Sequence, residues 1–439
     1  MYKLGLNEKY FEILDTKKKR DKFLFIKDSV KPLTVISYAK LIDPSFLRLN
    51  KEIPGGRLSN IPFEVLVLDE SHTFKNPKAK ITKVVEAFNY MKTIKKRILA
   101  SGTPYSKDYR DLFSQLLILD KGKRLGKNYY VFENKYFYDK NIARRNSNNY
   151  HPLMLIKDDM KPVLFSKIGD CFHKLTIKNI NKETEKKVRK LKRIKIVELT
   201  PEQNDIQKEL LLKSKIELEF VKKEIAEAKA IDKPKKIIQY YSKALSLMSC
   251  LRQLANGFIY EQLDPDNPDK KNRKVCYVPT KKLEVLDKIL KLIPYHEKIM
   301  IWSVYHETYT MIEKVLNQNN IKYVKIVGST PPGKRQELIK LYKYNPSYRV
   351  FLSHPKSGGV GLNLQEACWS IYYSKDYSLI DRIQSEGRNM RLDSYKYNKT
   401  LYEIDIQTNN TIETKINENV NKKKDLVKSF EKYLKEFEK

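Results

Sequence analysis

Glycine and proline are scarce in this 439-residue chain, 14 and 18 residues, which excludes collagen-like and low-complexity linker architectures. Cysteine is scarcer. Cys171, Cys250, Cys276 and Cys368 lie far apart with no CxxC pair, so they read neither as a zinc site nor as a disulfide framework. Buried free thiols in a reducing compartment fit that spacing. No window approaches the ~18 apolar residues of a membrane span. The opening MYKLGLNEKYFEILDTKKKR has no apolar core of signal-peptide length. The chain reads as intracellular and soluble, with no membrane partner. Acidic side chains are also in short supply: 53 Asp and Glu against 87 Lys and Arg leave a formal net charge of +34. So large an excess repels itself unless a polyanion neutralises it, and nucleic acid is the usual one. A lysine-rich coding bias is the plainer source of the same excess.

What is present is an alternation of short apolar runs and helical periodicity. LTVISYA (33–39), FEVLVLDE (63–70), RILASG (97–102), KIMIWSVY (298–305), YVKIV (323–327), YRVFLS (348–353) and WSIYYS (369–374) predict strands, many of them covered on both faces. ITKVVEAFNYM (81–91), ETYTMIEKVL (307–316) and KRQELIKLY (334–342) predict helices. The fold class is α/β, in two blocks at about 33–120 and 276–407. Between them, residues 182–195 are dense in charge, and two helical stretches follow at 202–230 and 236–256. The division expected is a first lobe over 1–150, a helical connector or protrusion over 151–275, a second lobe over 276–412 and a charged helix over 413–439. That last helix reads most simply as a solvated face.

Three segments carry chemistry. VLVLDESH puts Asp69 and Glu70 at the carboxyl end of an apolar strand, where ligands of open α/β sheets bind. Such a pair suits nucleotide hydrolysis: Asp69 holds Mg²⁺ through its water shell and Glu70 orients and deprotonates the attacking water. Taken alone, the segment also fits a turn after a strand. In ILASGTPYSKDYRDLFSQLLIL (98–119), Ser101, Gly102 and Thr103 lie in a small-residue turn before an amphipathic helix, with Pro104 at its first turn. The third segment, 352–392, is the most specific. Gly358, Gly359 and Gly361 follow a strand and let backbone approach a phosphate or sugar. Gln384, Arg388 and Arg391 then fall at i, i+4 and i+7 of a predicted helix, and arginines so presented neutralise a transferring phosphoryl group.

In order, these segments resemble the motifs of superfamily 2 helicases, specifically the Swi/Snf-like DNA translocases. DESHTFKN (69–76) resembles the DEAH-like box, SGTPYSKDYRDLF (101–113) motif III, and IMIWSVYHETYTMIEKVL (299–316) motif IV. GSTPPGKRQELI (328–339) resembles the segment after it, SGGVGLNLQEA (357–367) motif V and QSEGRNMR (384–391) motif VI. The resemblance covers about residues 34–416. It implies two RecA-like parallel-sheet lobes joined by a helical connector, an ATP hydrolase using ATP and Mg²⁺, and a track of nucleic acid, double-stranded DNA in the first instance with RNA left open. It further implies that His72 couples the acidic site to motif III and Thr103 links hydrolysis to movement. Gly361 approaches nucleotide, Ser329 and Thr330 touch the DNA backbone, and Gln384 orders the site. Arg388 and Arg391 are then arginine fingers reaching ATP held on the opposite lobe.

One departure stands out. The family's phosphate loop, GxxxxGK[ST], precedes the acidic box, and none occurs here; Gly5, Gly55 and Gly56 are the only glycines before Asp69. TVISYAKL (34–41) resembles motif Ib, so the chain reads as beginning after motifs I and Ia, with the first lobe incomplete. Without the phosphate-loop strand, its neighbours are expected to expose edges and apolar faces. A split gene with the loop on a partner chain and a truncated frame both fit. A degenerate, non-catalytic nucleic-acid-binding remnant ranks below them, because motifs II, III, V and VI are retained together.

Overall fold

The computed structural model describes residues 11–14, 32–43, 63–102, 104–105, 108–140, 154–171, 188–227, 232–260, 274–356, 362–375, 378–391 and 394–414. The chain divides into two compact units, one of Met1–Arg145 with Tyr150–His173 and one of Asn146–Asn149 with Lys174–Lys439.

In the first unit, β1 (Phe11–Ile13) and β2 (Leu33–Val35) pair in parallel and α1 (Tyr38–Leu41) follows. β3 (Val65–Leu68) is joined through α2 (Lys80–Glu86) to β4 (Lys96–Leu99), and the two strands pair in parallel, Leu68 opposite Leu99. Alternation sends Leu66, Leu68 and Leu99 toward a core with Leu41, Phe74, Val85 and Ile118. The other face of the pair is open: Val65, Val67 and Ile98 are 48–60% exposed. Among the described residues no further strand joins β3 and β4. Helix α3 (Leu112–Asp120) leads to a second small core with α4 (Tyr129–Tyr136), the antiparallel pair β5 (Phe137–Asp139) and β6 (Met154–Ile156), and α5 (Met160–Ile168). Asn128 starts α4 by accepting hydrogen bonds from the Tyr130 and Val131 amides, which are otherwise unpaired at a helix start.

The second unit opens with β7 (Arg189–Val197) and a hairpin of long helices, α6 (Pro201–Glu227) and α7 (Lys233–Ala255). The antiparallel pair β8 (Phe258–Tyr260) and β9 (Val275–Tyr277) comes next. Then follow α8 (Lys281–Leu292), β10 (Lys298–Trp302), α9 (His306–Gln318), β11 (Lys322–Ile326), α10 (Pro332–Tyr344), β12 (Tyr348–Ser353), β13 (Ala367–Tyr372), α11 (Leu379–Glu386) and β14 (Thr400–Thr408). Six strands form one parallel sheet in the order β11-β12-β10-β13-β14-β7. Strand β10 is central. Its Ile299 and Ile301 enter one core with Leu286, Ile312 and Leu352, while Met300 and Trp302 enter another with Val324, Phe351 and Tyr372. Both faces are covered, which is why the strand reads as an unbroken apolar run.

Three local readings change. The charge-dense stretch at 182–195 supplies most of β7, which pairs with β14 over nine residues from Arg189–Thr400 to Val197–Thr408. Its lysines are tolerated because the strand is at the sheet edge and meets acids from β14 and α11. Pro104 is not in the first turn of a helix, since α3 begins at Leu112 after a 3-10 turn at Tyr109–Asp111. Helix α11 ends at Glu386 with Gly387 as its cap, so Arg388 and Arg391 lie in the turn beyond it and not on a continuous helical face. Residues 415–439 of the expected charged helix lie outside the described residues. Among the described residues no helix is long and apolar enough to cross a membrane.

Candidate functional site

The acidic turn is built where β3 ends. Glu70 takes a left-handed backbone, φ 50°, which costs a non-glycine residue of order 1 kcal/mol and needs compensation nearby. Three bonds hold it. The Glu70 amide donates to Asp69 Oδ1 at 2.9 Å, the Ser71 amide to the Ala100 carbonyl at 2.9 Å, and the Tyr38 hydroxyl to the Asp69 carbonyl. Burial, with the carboxylates of Asp69 and Glu70 adding to it, pushes the Tyr38 hydroxyl up to about 12, so it stays a neutral donor at neutral pH. Tyr38 also meets the Phe74 ring edge-on at 4.9 Å.

The carboxylates differ. Asp69 is exposed. Glu70 Oε2 is shut off from solvent, 3.2 Å from His72 Nδ1, yet makes no hydrogen bond with the described residues. His72 Nδ1 is aimed instead at Ser101 Oγ, 3.1 Å away. One ring nitrogen thus stands between a carboxylate of the acidic turn and a hydroxyl of the next strand's end. An exposed carboxylate at a strand end suits a hydrated Mg²⁺, which keeps several waters and takes only one or two protein carboxylates. Among the described residues no three His, Cys, Asp or Glu cluster into a metal cage. Asp69, exposed at the strand end, and Glu70, whose Oε2 faces His72, are the two carboxylates this turn carries.

Gln115 escaped sequence reading. From α3, its buried carboxamide accepts from Ser71 Oγ at 2.8 Å and donates to the carbonyls of Pro104 at 2.6 Å and Asp111 at 2.7 Å. It joins the acidic turn to the segment after Gly102. Thr103 itself lies outside the described residues, as do Gly358, Gly359 and Gly361.

In the second unit the two arginines meet at one atom. Arg388 Nη1 donates to the Leu362 carbonyl at 3.2 Å and Arg391 Nη2 to the same oxygen at 3.5 Å. The Leu364 amide returns a bond to the Arg388 carbonyl at 3.0 Å. The segment that follows Gly361 in the sequence is thereby tied to the arginine turn. Arg388 is buried, Gln384 half-buried and Arg391 exposed.

Helix α11 is fixed from behind by charge. Arg382 donates to Glu386 at 2.6 Å, Glu403 at 2.5 Å and Asp405 at 2.8 Å, and lies 3.4 Å over the Tyr372 ring. Lys190 and Lys192 of β7 reach Glu386 at 2.8 and 3.0 Å. Burial pushes the Glu386 carboxyl up, but hydrogen bonds from Lys190 and Arg382 overcome that and hold it at about 2.

Ser329 is exposed on the loop after β11, while the Thr330 hydroxyl faces inward and accepts from the Val327 amide at 3.0 Å. Arg335 holds the loop by donating to the carbonyls of Val327, Gly328 and Thr330 at 2.8–3.1 Å. Nothing in the local pattern of GSTPPGKRQELI marks that arginine, because its partners are backbone carbonyls brought close by the turn.

The second unit carries a six-stranded parallel sheet and the first an acidic turn at the end of a parallel strand, both elements of α/β architecture. A model described as SNF2-related domain matches residues 20–257, and one described as Helicase conserved C-terminal domain matches residues 281–393. The chain belongs to the SNF2-related family of superfamily 2. It is 25% identical over 366 residues to the DNA repair and recombination protein RDH54 of Saccharomyces cerevisiae, strain RM11-1a, covering 81% of this chain and 36% of that protein. With the transcription regulatory protein SNF2 of Saccharomyces cerevisiae it shares 22% identity over 376 residues, 84% of this chain and 20% of that one. Among solved structures, the Sulfolobus solfataricus SWI2/SNF2 ATPase core in complex with dsDNA matches at 20% identity and a TM-score of 0.36, covering 94% of this chain and 74% of the other. The chain thus spans about a third of RDH54 and a fifth of SNF2.

Proposed function

We propose that this chain is the motor portion of an ATP-dependent DNA translocase that couples ATP hydrolysis to movement along duplex DNA. The observation that carries this reading is the acidic turn: Glu70 Oε2 lies 3.2 Å from His72 Nδ1, and the same ring nitrogen lies 3.1 Å from Ser101 Oγ. Glu70 accepts the proton of the attacking water, and His72 transmits the state of the site to the segment Ser101, Gly102 and Thr103. Asp69 would hold Mg²⁺, which would supply charge neutralisation at the phosphates. Arg388 and Arg391, gathered on Leu362, neutralise the transferring phosphoryl group, and Gln384 orders the site. Gly361 approaches the nucleotide, and Ser329, Thr330, Gly358 and Gly359 lie along the DNA backbone. Thr330 acts there by shaping the loop.

The phosphate loop is supplied by a further segment, upstream or on a partner chain. The open apolar face of Val65, Val67 and Ile98 supports this, because an unpaired pair of parallel strands is marginal in water. The test measures ATP hydrolysis with and without duplex DNA after that segment is restored. Hydrolysis stimulated by DNA is expected, with Glu70→Gln lowering the rate by about 10²-fold or more. No hydrolysis after restoration, or hydrolysis indifferent to Glu70→Gln, overturns the reading. DNA binding without hydrolysis would instead favour the non-catalytic remnant.

A further inference from the structure

Helix α6 carries two apolar faces. Leu211, Leu218 and Val221 are buried with Ala244, Leu247 and Leu251 of α7. Leu212, Ile216 and Phe220 are 62–65% exposed. These three stand at i, i+4 and i+8, so they form one stripe, turned away from the hairpin's own core. Isolated exposed leucines need no account, but three large side chains in a row mark a contact surface.

The segment that leaves the described residues does so beside this hairpin. Ile412 is buried in the hairpin core, and Gln207 Nε2 donates to the Asn410 carbonyl at 3.2 Å. Glu413 is ion-paired at 2.7 Å to Lys282, whose side chain is fully buried. Residues 415–439 follow from that fixed exit, and their sequence has its own stripe. Leu426, Phe430, Tyr433, Leu434 and Phe437 fall within an arc of about 100° on a helix, with Lys428, Glu431, Lys432 and Lys435 outside it. Leu426, Phe430 and Leu434 repeat the spacing of Leu212, Ile216 and Phe220. The intervening residues 415–425 reach up to about 36 Å when extended, well beyond the roughly 10–12 Å diameter of a helix. They suffice to carry the tail around α6.

We propose that residues 426–437 dock as a helix on the Leu212–Ile216–Phe220 stripe, turning the α6–α7 hairpin into a three-helix bundle. The apolar side of the tail is then buried and only its Lys/Glu side is solvated. This inference is independent of the chain's catalytic role.

Thiol labelling tests it. Ile216→Cys places a reporter at an exposed position of the full-length chain, and peptide mapping follows it alongside Cys171, Cys250, Cys276 and Cys368. The introduced thiol is expected to react about tenfold more slowly than in the same chain carrying Phe430→Asp and Leu434→Asp. The native thiols should keep their rates in both. Adding a synthetic peptide of residues 420–439 to the Asp variant should restore slow labelling. Equal rates with and without the Asp substitutions overturn the proposal, as does failure of the peptide. Protection that grows with protein concentration assigns the stripe to a second copy and overturns it as well.

Discussion

Gln115 uses both ends of its carboxamide, and that is what lets one uncharged side chain hold the acidic turn. Ser71 gives it a proton, while the Pro104 and Asp111 carbonyls take its two. Replacing it by leucine keeps the volume and removes all three bonds. Gln115→Leu is expected to lower stability by about 1–3 kcal/mol, because buried polar partners lose hydrogen bonds without regaining water. Urea unfolding of the two chains measures it, and an unchanged midpoint would refute the role assigned to the amide. In LFSQLLILD the glutamine looks like one polar position on a helix. Its partners lie 4, 11 and 44 residues away, and only the closest is a helical neighbour. Tyr38 escaped reading for the same reason. Asp69 and Glu70 were legible because their signal, a charged pair ending an apolar strand, is contained in eight consecutive residues.

At the scale of elements, α11 is joined to β14 and β7 by charges whose partners come from distant parts of the chain. Glu386 meets Lys190 and Lys192 from β7 and Arg382 from its own helix, with Glu403 and Asp405 sharing the same cations. A carboxylate held lower in the folded protein than in the unfolded chain adds stability that is fully present above its ordinary value of 4.5 and is lost as the pH falls toward about 2. Glu386→Gln should therefore cost on the order of 2 kcal/mol at neutral pH, with the gap to the parent closing through that acid window. Denaturant midpoints collected as a function of pH give the comparison. A gap that stays constant down to pH 2 would contradict it. Strands and helices themselves were largely legible, since KIMIW and YRVFLS are continuous apolar runs. Strand β7 was not, because a run of alternating lysines forms an edge strand only when acids elsewhere meet it.

For the whole molecule the controlling quantity is charge. With a formal net charge of +34, association with duplex DNA should be dominated by phosphate neutralisation and counterion release. For roughly six to ten phosphate contacts, affinity is expected to fall about 10³–10⁵-fold between about 50 and 200 mM salt. Sequence preference should be weak, since phosphate contacts carry no base information. Titrations of two unrelated duplexes over a salt series measure both properties. A flat salt dependence would show that the charge excess comes from composition alone.

Read alone, the sequence determined the α/β class, the order of the motifs, the family resemblance and the acid pair at the end of β3. Each depends on periodicity or on residues adjacent in the chain. Tertiary structure decided that Arg388 and Arg391 share the Leu362 carbonyl beyond the end of α11, that Gln115 and Tyr38 hold the acidic turn, and that a charged stretch becomes β7. Those outcomes turn on pairs up to 196 residues apart, where the cost of burying a charge or a carbonyl is offset by a partner no local pattern reveals.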